Sequence, residues 1–233
     1  MSQRLIQNIR NAVREGHRMH GIAFPWVAAT RAGSYGWRRV FGKKTFSIGG
    51  RTCRYEVHPF ILNNERAVEI GIARQFLAGR KGNILEVGNV LSAYMTFHHD
   101  VVDKYERAPG VINEDIVTYR PAKRYDAIVS LSTLEHVGWD EHPKEPAKIE
   151  RAIENLRSLL APGGELLVTM PLGYNLHLDD LVRNQRTGLS EVRFMKRFSK
   201  NNTWREAQYS EVAGAVYGHP FPCGNAIVVG WLR

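Results

Sequence analysis

The segment Asn83-Ile84-Leu85-Glu86-Val87-Gly88-Asn89 constrains the fold of this chain more than any other. Its apolar positions leave no polar face, which marks a strand buried on both sides in a parallel sheet. Gly88 permits the sharp turn that follows such a strand and lets the backbone approach a bound molecule closely. Glu86 narrows the kind of molecule. A dinucleotide would set its pyrophosphate at this turn, where a neighbouring carboxylate repels it, whereas a ligand with a cationic amino-acid end and no phosphate is attracted.

At 233 residues the chain is long enough to bury the core of one α/β domain. A hydrophobic content of 43% with 10% aromatics excludes general disorder. Cys53 and Cys223 show neither disulfide-framework nor metal-ligand spacing, so a reduced, cytoplasmic setting is the default expectation. The net charge of +9 is concentrated at one end. Residues 1–44 carry nine Lys/Arg against the single acid Glu15, whereas the remainder carries twenty-three bases and twenty-two acids.

This arm places Leu5, Ile6, Ile9 and Val13 at helical spacing with Arg4, Arg10 and Arg14 around them. Phe24, Trp26, Trp37 and Phe41 follow among Arg31, Arg38, Arg39, Lys43 and Lys44. Bases interleaved with aromatics suit peripheral contact with an anionic membrane or a phosphorylated glycan, and less so nucleic acid. A solvated flap whose aromatics pack on the domain explains them equally well. No apolar run approaches the roughly 20 residues that span a bilayer, and Arg10, Arg14, Glu15 and Arg18 interrupt any secretory apolar region.

Beyond the arm, Thr45–Ile48 and Arg51–Tyr55 flank Gly49-Gly50, a hairpin signal. Asn63 or Asn64 is the expected cap of a helix through Arg66–Phe76. Strands are expected at Asp100–Asp103, Val111–Ile112, Tyr125–Ser130 and Glu165–Met170. A helix from about Pro146 should stop at Ala161-Pro162-Gly163-Gly164. Val192–Met195 and Ala226–Trp231 read as a terminal antiparallel pair. The alternation predicts a doubly wound, mostly parallel seven-stranded Rossmann-like sheet, with residues 1–62 as a basic arm and hairpin and residues 63–233 as the ligand-binding domain.

Six segments, in this order and at these separations, carry a family resemblance: Ile84-Leu85-Glu86-Val87-Gly88, Val101-Val102-Asp103, Asn113-Glu114-Asp115-Ile116, Tyr125–Ser130, Leu134-Glu135-His136-Val137 and Leu160–Gly164. Over roughly residues 64–172 the sequence resembles the class I S-adenosylmethionine (SAM)-dependent methyltransferases, in particular those of type 11. The chain departs from their pattern after Gly88, where further glycines are usual and Asn89-Val90-Leu91-Ser92 stands instead. Asn89 tolerates left-handed backbone, while Val90 and Leu91 are expected to narrow the methionine end.

The resemblance implies SAM as cofactor, with Glu86 supporting the methionine ammonium, Gly88, Asn89 and Ser132 near it, and Asp115 with Ile116 at the adenine. Asp103, seventeen residues after Glu86, also has close to the spacing of a ribose-binding acid. His136, past the fourth strand, is the candidate general base, with loop organisation as its structural alternative. Tyr174, Asn175 and His177 are expected on the acceptor side. His177 with Asp179 and Asp180 is more simply a solvated loop than a metal site, and His98 and His99 are expected to be structural.

The leading expectation is transfer of a methyl group, to oxygen first, of a small-molecule or glycan acceptor that the basic charge suggests is anionic. The alternatives are a non-catalytic binding module on the same fold, attached to a membrane or polyanion, and an NAD-dependent oxidoreductase, against which the absent G-x-G-x-x-G counts.

Overall fold

The computed structural model describes residue 36 and residues 40–58, 63–96 and 98–233. The amphipathic segment of the arm and the aromatics Phe24, Trp26 and Trp37 lie outside the described residues. In chain order the elements are β1 (Thr45–Ile48), β2 (Arg51–Arg54), α1 (Arg66–Leu77), β3 (Ile84–Val87), β4 (Asp100–Val102), β5 (Val111–Ile112) and β6 (Tyr125–Leu131). They continue with α2 (Lys148–Leu159), β7 (Leu160–Pro171), α3 (Leu176–Arg183), β8 (Glu191–Arg197), β9 (Trp204–Ala207), α4 (Tyr209–Val212) and β10 (Ala226–Leu232).

Strands β3 to β10 form one sheet in the order β5-β4-β3-β6-β7-β10-β8-β9. The first five positions are parallel, and β10, β8 and β9 are joined antiparallel. The sheet is therefore doubly wound and mostly parallel, with eight strands where seven were expected. The expected terminal pair is present, with Met195 opposite Ile227 and Phe194 opposite Val228. The additional strand, β9, reads Trp-Arg-Glu-Ala and has no alternation long enough to announce it. It is held by tertiary contacts: Tyr55 Oη donates to Trp204 O at 3.0 Å and accepts from Trp204 N at 2.9 Å.

Alternate strand residues serve two cores, as the two-residue period requires. Ala127, Val129 and Leu131 face the core that α1 and the β1–β2 hairpin cover, where Val68, Ile72, Phe46 and Ile48 pack. Leu85, Ile128, Leu166 and Val168 face the opposite core under Ile149, Ile153 and Leu156 of α2 and Leu178 and Leu181 of α3. Most of these side chains are fully buried, each worth roughly 1.5–3 kcal/mol. The hairpin turn has Gly49 and Gly50 at φ 56° and 73°, as a two-residue primed turn demands.

Two boundaries differ from expectation. Glu65, rather than Asn63 or Asn64, occupies the α1 N-cap, and its backbone oxygen accepts from Val68 and Glu69. Residues 160–164 continue directly into β7 instead of forming a separate loop, because Leu160 already pairs with Tyr125.

Candidate active site

The chain leaves β3 toward β4 and β5 on one side and β6 toward β7 on the other, so a crevice opens beyond the carboxyl ends of β3 and β6. The segments after β3, β4, β5 and β6 line an open cleft of about 980 Å³ there. Gly88, Asn89, Asp103, Asp115, Ile116, Ser132 and His136, predicted from the sequence, all border it, together with Lys104, Glu106, Thr133, Asp140 and Glu141.

Glu86 is absent from that lining, although it shapes it. Its carboxylate is 1% exposed and accepts the backbone N–H groups of Val90 and Leu91 at 2.6 and 2.5 Å on Oε1, while His99 Nε2 meets Oε2 at 2.6 Å. Both carboxylate oxygens thus hold the turn, with His99 as the structural partner, and the support of a ligand ammonium expected of Glu86 would be electrostatic rather than by contact. Val90 and Leu91 do not narrow the cleft: Leu91 is buried and both side chains join the α1-side core. Asn89 keeps a negative φ, since the left-handed position is Gly88 at φ 84°. The Asn89 side chain instead donates to Glu106 Oε1 at 2.6 Å and accepts from the Ser92 hydroxyl.

Asp103 stands at the end of β4. Its Oδ1 accepts the N–H groups of Tyr105 and Glu106 at 2.8 Å each, and Oδ2 turns toward Asn89 N at 3.4 Å. One oxygen orders the loop and the other remains available to the cleft. Asp115 is differently placed. Its Oδ2 receives Lys148 Nζ at 2.6 Å and Lys104 Nζ at 2.9 Å, and both lysines also reach Glu141. Burial raises the Asp115 pKa, but Lys148, the Val117 N–H and Lys104 outweigh it and hold the carboxyl at about 2. The expected adenine acceptor is therefore an ion-paired group in a four-residue network at the cleft rim, and Ile116 supplies the apolar surface beside it.

Ser132 sits at φ 37°, and its hydroxyl points away from the cleft, donating to Glu69 Oε1 at 2.6 Å. Thr169 Oγ1 meets the same oxygen at 2.7 Å. Glu69 Oε2 pairs with Arg66 Nη1 at 3.0 Å, which also donates to Leu131 O at 2.7 Å. Ser132 thus contributes backbone to the cleft, and its side chain belongs to a buried network that joins α1 to the ends of β6 and β7.

His136 is half-exposed. Its Nδ1 lies 2.6 Å from Asp140 Oδ2, which also accepts from Tyr174 Oη at 2.6 Å. The rings of His136 and Tyr174 meet edge to face at 5.0 Å. Burial raises the Asp140 pKa, but the Tyr174 and His136 hydrogen bonds reverse the balance and lower it. Of the three acceptor-side residues, only Tyr174 takes part in this arrangement through its side chain. Asn175 is fully buried, caps α3 through the N–H groups of His177 and Leu178, and donates to Glu135 O at 2.8 Å. His177 turns to Glu150 at 3.1 Å. Asp179 accepts Gly173 N, and Asp180 pairs with Arg186, so the three residues diverge.

Glu135, Glu69, Arg66, Lys104, Lys148 and Asp140 were not singled out from the sequence. A signal existed for one of them, Glu69. Glu65 and Glu69 continue the i, i+4, i+7, i+11 stripe of Ile72 and Phe76, so acids occupy an apolar helix face.

No family model and no curated protein matches the chain. It is similar to the solved N-methyltransferase NodS of Bradyrhizobium japonicum WM9 in complex with S-adenosyl-L-homocysteine, at 17% identity, 72% coverage of this chain, 86% of that chain and a TM-score of 0.48. It is also similar to the glycopeptide N-methyltransferase MtfA complexed with SAM, at 12% identity, 71% and 94% coverage and a TM-score of 0.41. A third similar structure is a SAM-dependent methyltransferase of Thermotoga maritima, a possible histamine N-methyltransferase, at 15% identity, 71% and 89% coverage and 0.42. Likenesses of this size assign neither cofactor nor acceptor, so the chemistry of the site has to come from its own residues.

Proposed function

We propose that this protein is a SAM-dependent methyltransferase. The turn after β3 carries the proposal: its Val90 and Leu91 N–H groups, which a pyrophosphate would need, are already taken by Glu86. The cleft beyond them is bordered by Asp103, Glu106, Glu114, Asp115, Asp140 and Glu141 against the two bases Lys104 and Arg107, an excess of acids. Such a lining disfavours a dinucleotide and suits a cofactor that is cationic and free of phosphate.

In this reading Asp103 would hold ribose hydroxyls through Oδ2, Gly88 would allow close backbone approach, and Ile116 with Val137, which line the cleft, would give a purine an apolar wall. When bound, SAM supplies an electrophilic sulfonium methyl group. The protein's own part is alignment and the handling of one proton. Asp140 holds Nδ1–H of His136 in the tautomer this network assigns, which leaves Nε2 basic toward the acceptor. Such a base serves the hydroxyl acceptor expected from the sequence and equally an amine.

Calorimetric titration of the full chain with SAM and S-adenosylhomocysteine tests the proposal. Micromolar binding is expected, reduced at least about tenfold by Asp103→Ala, and SAM at about 100 times its Kd should stabilise the fold by about 2.7 kcal/mol. A well-folded chain that ignores both compounds overturns the reading. Salt-sensitive vesicle binding in that chain would point to the non-catalytic alternative, and binding of NADH to the oxidoreductase.

A further inference from the structure

Behind His136 lies a buried cluster of acids, Glu65, Glu69 and Glu135, none of which borders the cleft. Glu135 is 1% exposed, and its Oε2 is buried with no hydrogen-bond partner among the described residues. Its Oε1 lies 3.6 Å from His136 Nε2. From α1, Glu65, Arg66 and Glu69 act on the same carboxyl. Glu65 is 6% exposed and its Oε2 accepts Gly224 N at 2.8 Å. The Arg66 guanidinium is committed to Glu69, Leu131 O and Ser132 O. One guanidinium thus stands among three carboxyl groups.

Aromatic rings stand beside these acids. Tyr174 meets His136 at 5.0 Å and Tyr217 at 5.1 Å, both edge to face. Glu135 acts electrostatically on both tyrosine hydroxyls. Tyr217 is 37% exposed and so opens toward solvent. Acids at the back and aromatic surfaces in front are the chemistry that binds an organic cation, since ring faces attract it and buried carboxylates need it.

We propose that Glu135, with the Tyr174–Tyr217 pair, binds the acceptor as a cationic amine. The inference rests on the methyl-transfer reading only for the fate of the nitrogen. The sign is opposite to that of the anionic acceptor expected from the basic arm. Burial first, and then Glu69 and Glu65, push the Glu135 pKa up, while its backbone hydrogen bond and Arg66 oppose them. The free site thus favours the protonated carboxyl and an ammonium beside it favours the ionised one, so amine binding is expected to release a proton. For transfer, the ammonium gives a proton to His136 Nε2. The lone pair thus freed forms the bond to the methyl carbon while the carbon–sulfur pair returns to sulfur, and the product leaves as the methylated ammonium.

The probes are benzylamine, cationic at pH 7, its neutral counterpart benzyl alcohol, and benzoate. They are titrated calorimetrically into the full chain without SAM, in two buffers of different ionisation enthalpy. Benzylamine should bind at least about tenfold more tightly than the other two, release close to one proton, and tighten as pH rises from 6.5 to 8. Glu135→Gln should remove the proton release and weaken amine binding at least about tenfold. Tyr217→Ala, at a part-exposed position, should weaken it severalfold and leave the SAM thermal shift intact. If Glu135→Gln does not fold, the proton count of the unmodified chain and Tyr217→Ala decide. Equal binding of benzyl alcohol, tighter binding of benzoate, or amine binding without proton release overturns the inference. A SAM response without amine selectivity overturns this inference alone, whereas amine selectivity without a SAM response overturns the methyl-transfer reading and leaves the amine site standing.

Discussion

Gly88 shows how narrowly single residues define the cleft. Its φ of 84° is left-handed, and a Cβ placed there would lie 2.2 Å from Thr133 Oγ1. Gly88→Ala should therefore cost about 1–3 kcal/mol in backbone strain and displace the Thr133 side of the cleft. Urea unfolding reads the first effect and SAM titration the second, where an affinity loss of at least about tenfold is expected. Asp115 gives a pH signature. Its folded pKa of about 2 lies below the ordinary 3.8, so its contribution to stability is present above about pH 4 and is lost as pH falls through 2. Lys148→Met should flatten the fall of the urea midpoint between pH 4.5 and 2.5; an unchanged slope would show that the lysine network does not set it. At this scale the position of Glu86 was legible and its partners were not. The carboxylate answers backbone N–H groups and His99, and no side-chain pattern in the sequence records the direction of an amide.

The α1 helix ties the cleft to the sheet through polar groups. Glu69 is fully buried and binds Ser132, Thr169 and Arg66, so one side chain spans the helix and the ends of β6 and β7. Removing it leaves the half-buried Arg66 with its main partner gone, and breaking a fully buried pair costs roughly 3–5 kcal/mol, an upper bound at this 21% exposed arginine. Glu69→Ala should lower stability by up to that order in denaturant unfolding. Glu69→Gln, which retains an acceptor for the two hydroxyls, should lose less. Equal losses would mean that the hydroxyl bonds contribute nothing. Periodicity made α1, α2 and the parallel strands legible because each has a repeating apolar face. It did not reveal β9, four residues fixed by Tyr55 and β8, or the buried acidic cluster. That cluster assembles α1, the segment after β6 and the turn before α3, which lie far apart along the chain.

Across the whole molecule, charge is divided unevenly between two stretches of the sequence. Nine bases and one acid occupy residues 1–44, while the other 189 positions are almost balanced and line their cleft with more acids than bases. No helix of the described residues is long and apolar enough to cross a membrane. The arm's charge favours anionic surfaces by about 1 kcal/mol for each base that reaches one, whereas the cleft repels them. Contact with an acidic surface should consequently depend on the arm and leave the cleft accessible. The full chain is expected to sediment with phosphatidylserine-containing vesicles and not with neutral ones, and to lose at least about tenfold in affinity between 50 and 300 mM salt. Replacing Arg10, Arg14, Arg31, Arg38 and Arg39 with Gln should abolish that binding without altering the SAM thermal shift. If the substituted chain sediments as before, the arm's bases serve the fold rather than a surface. If the SAM response falls with it, the arm reaches the cleft, and the two stretches work as one site.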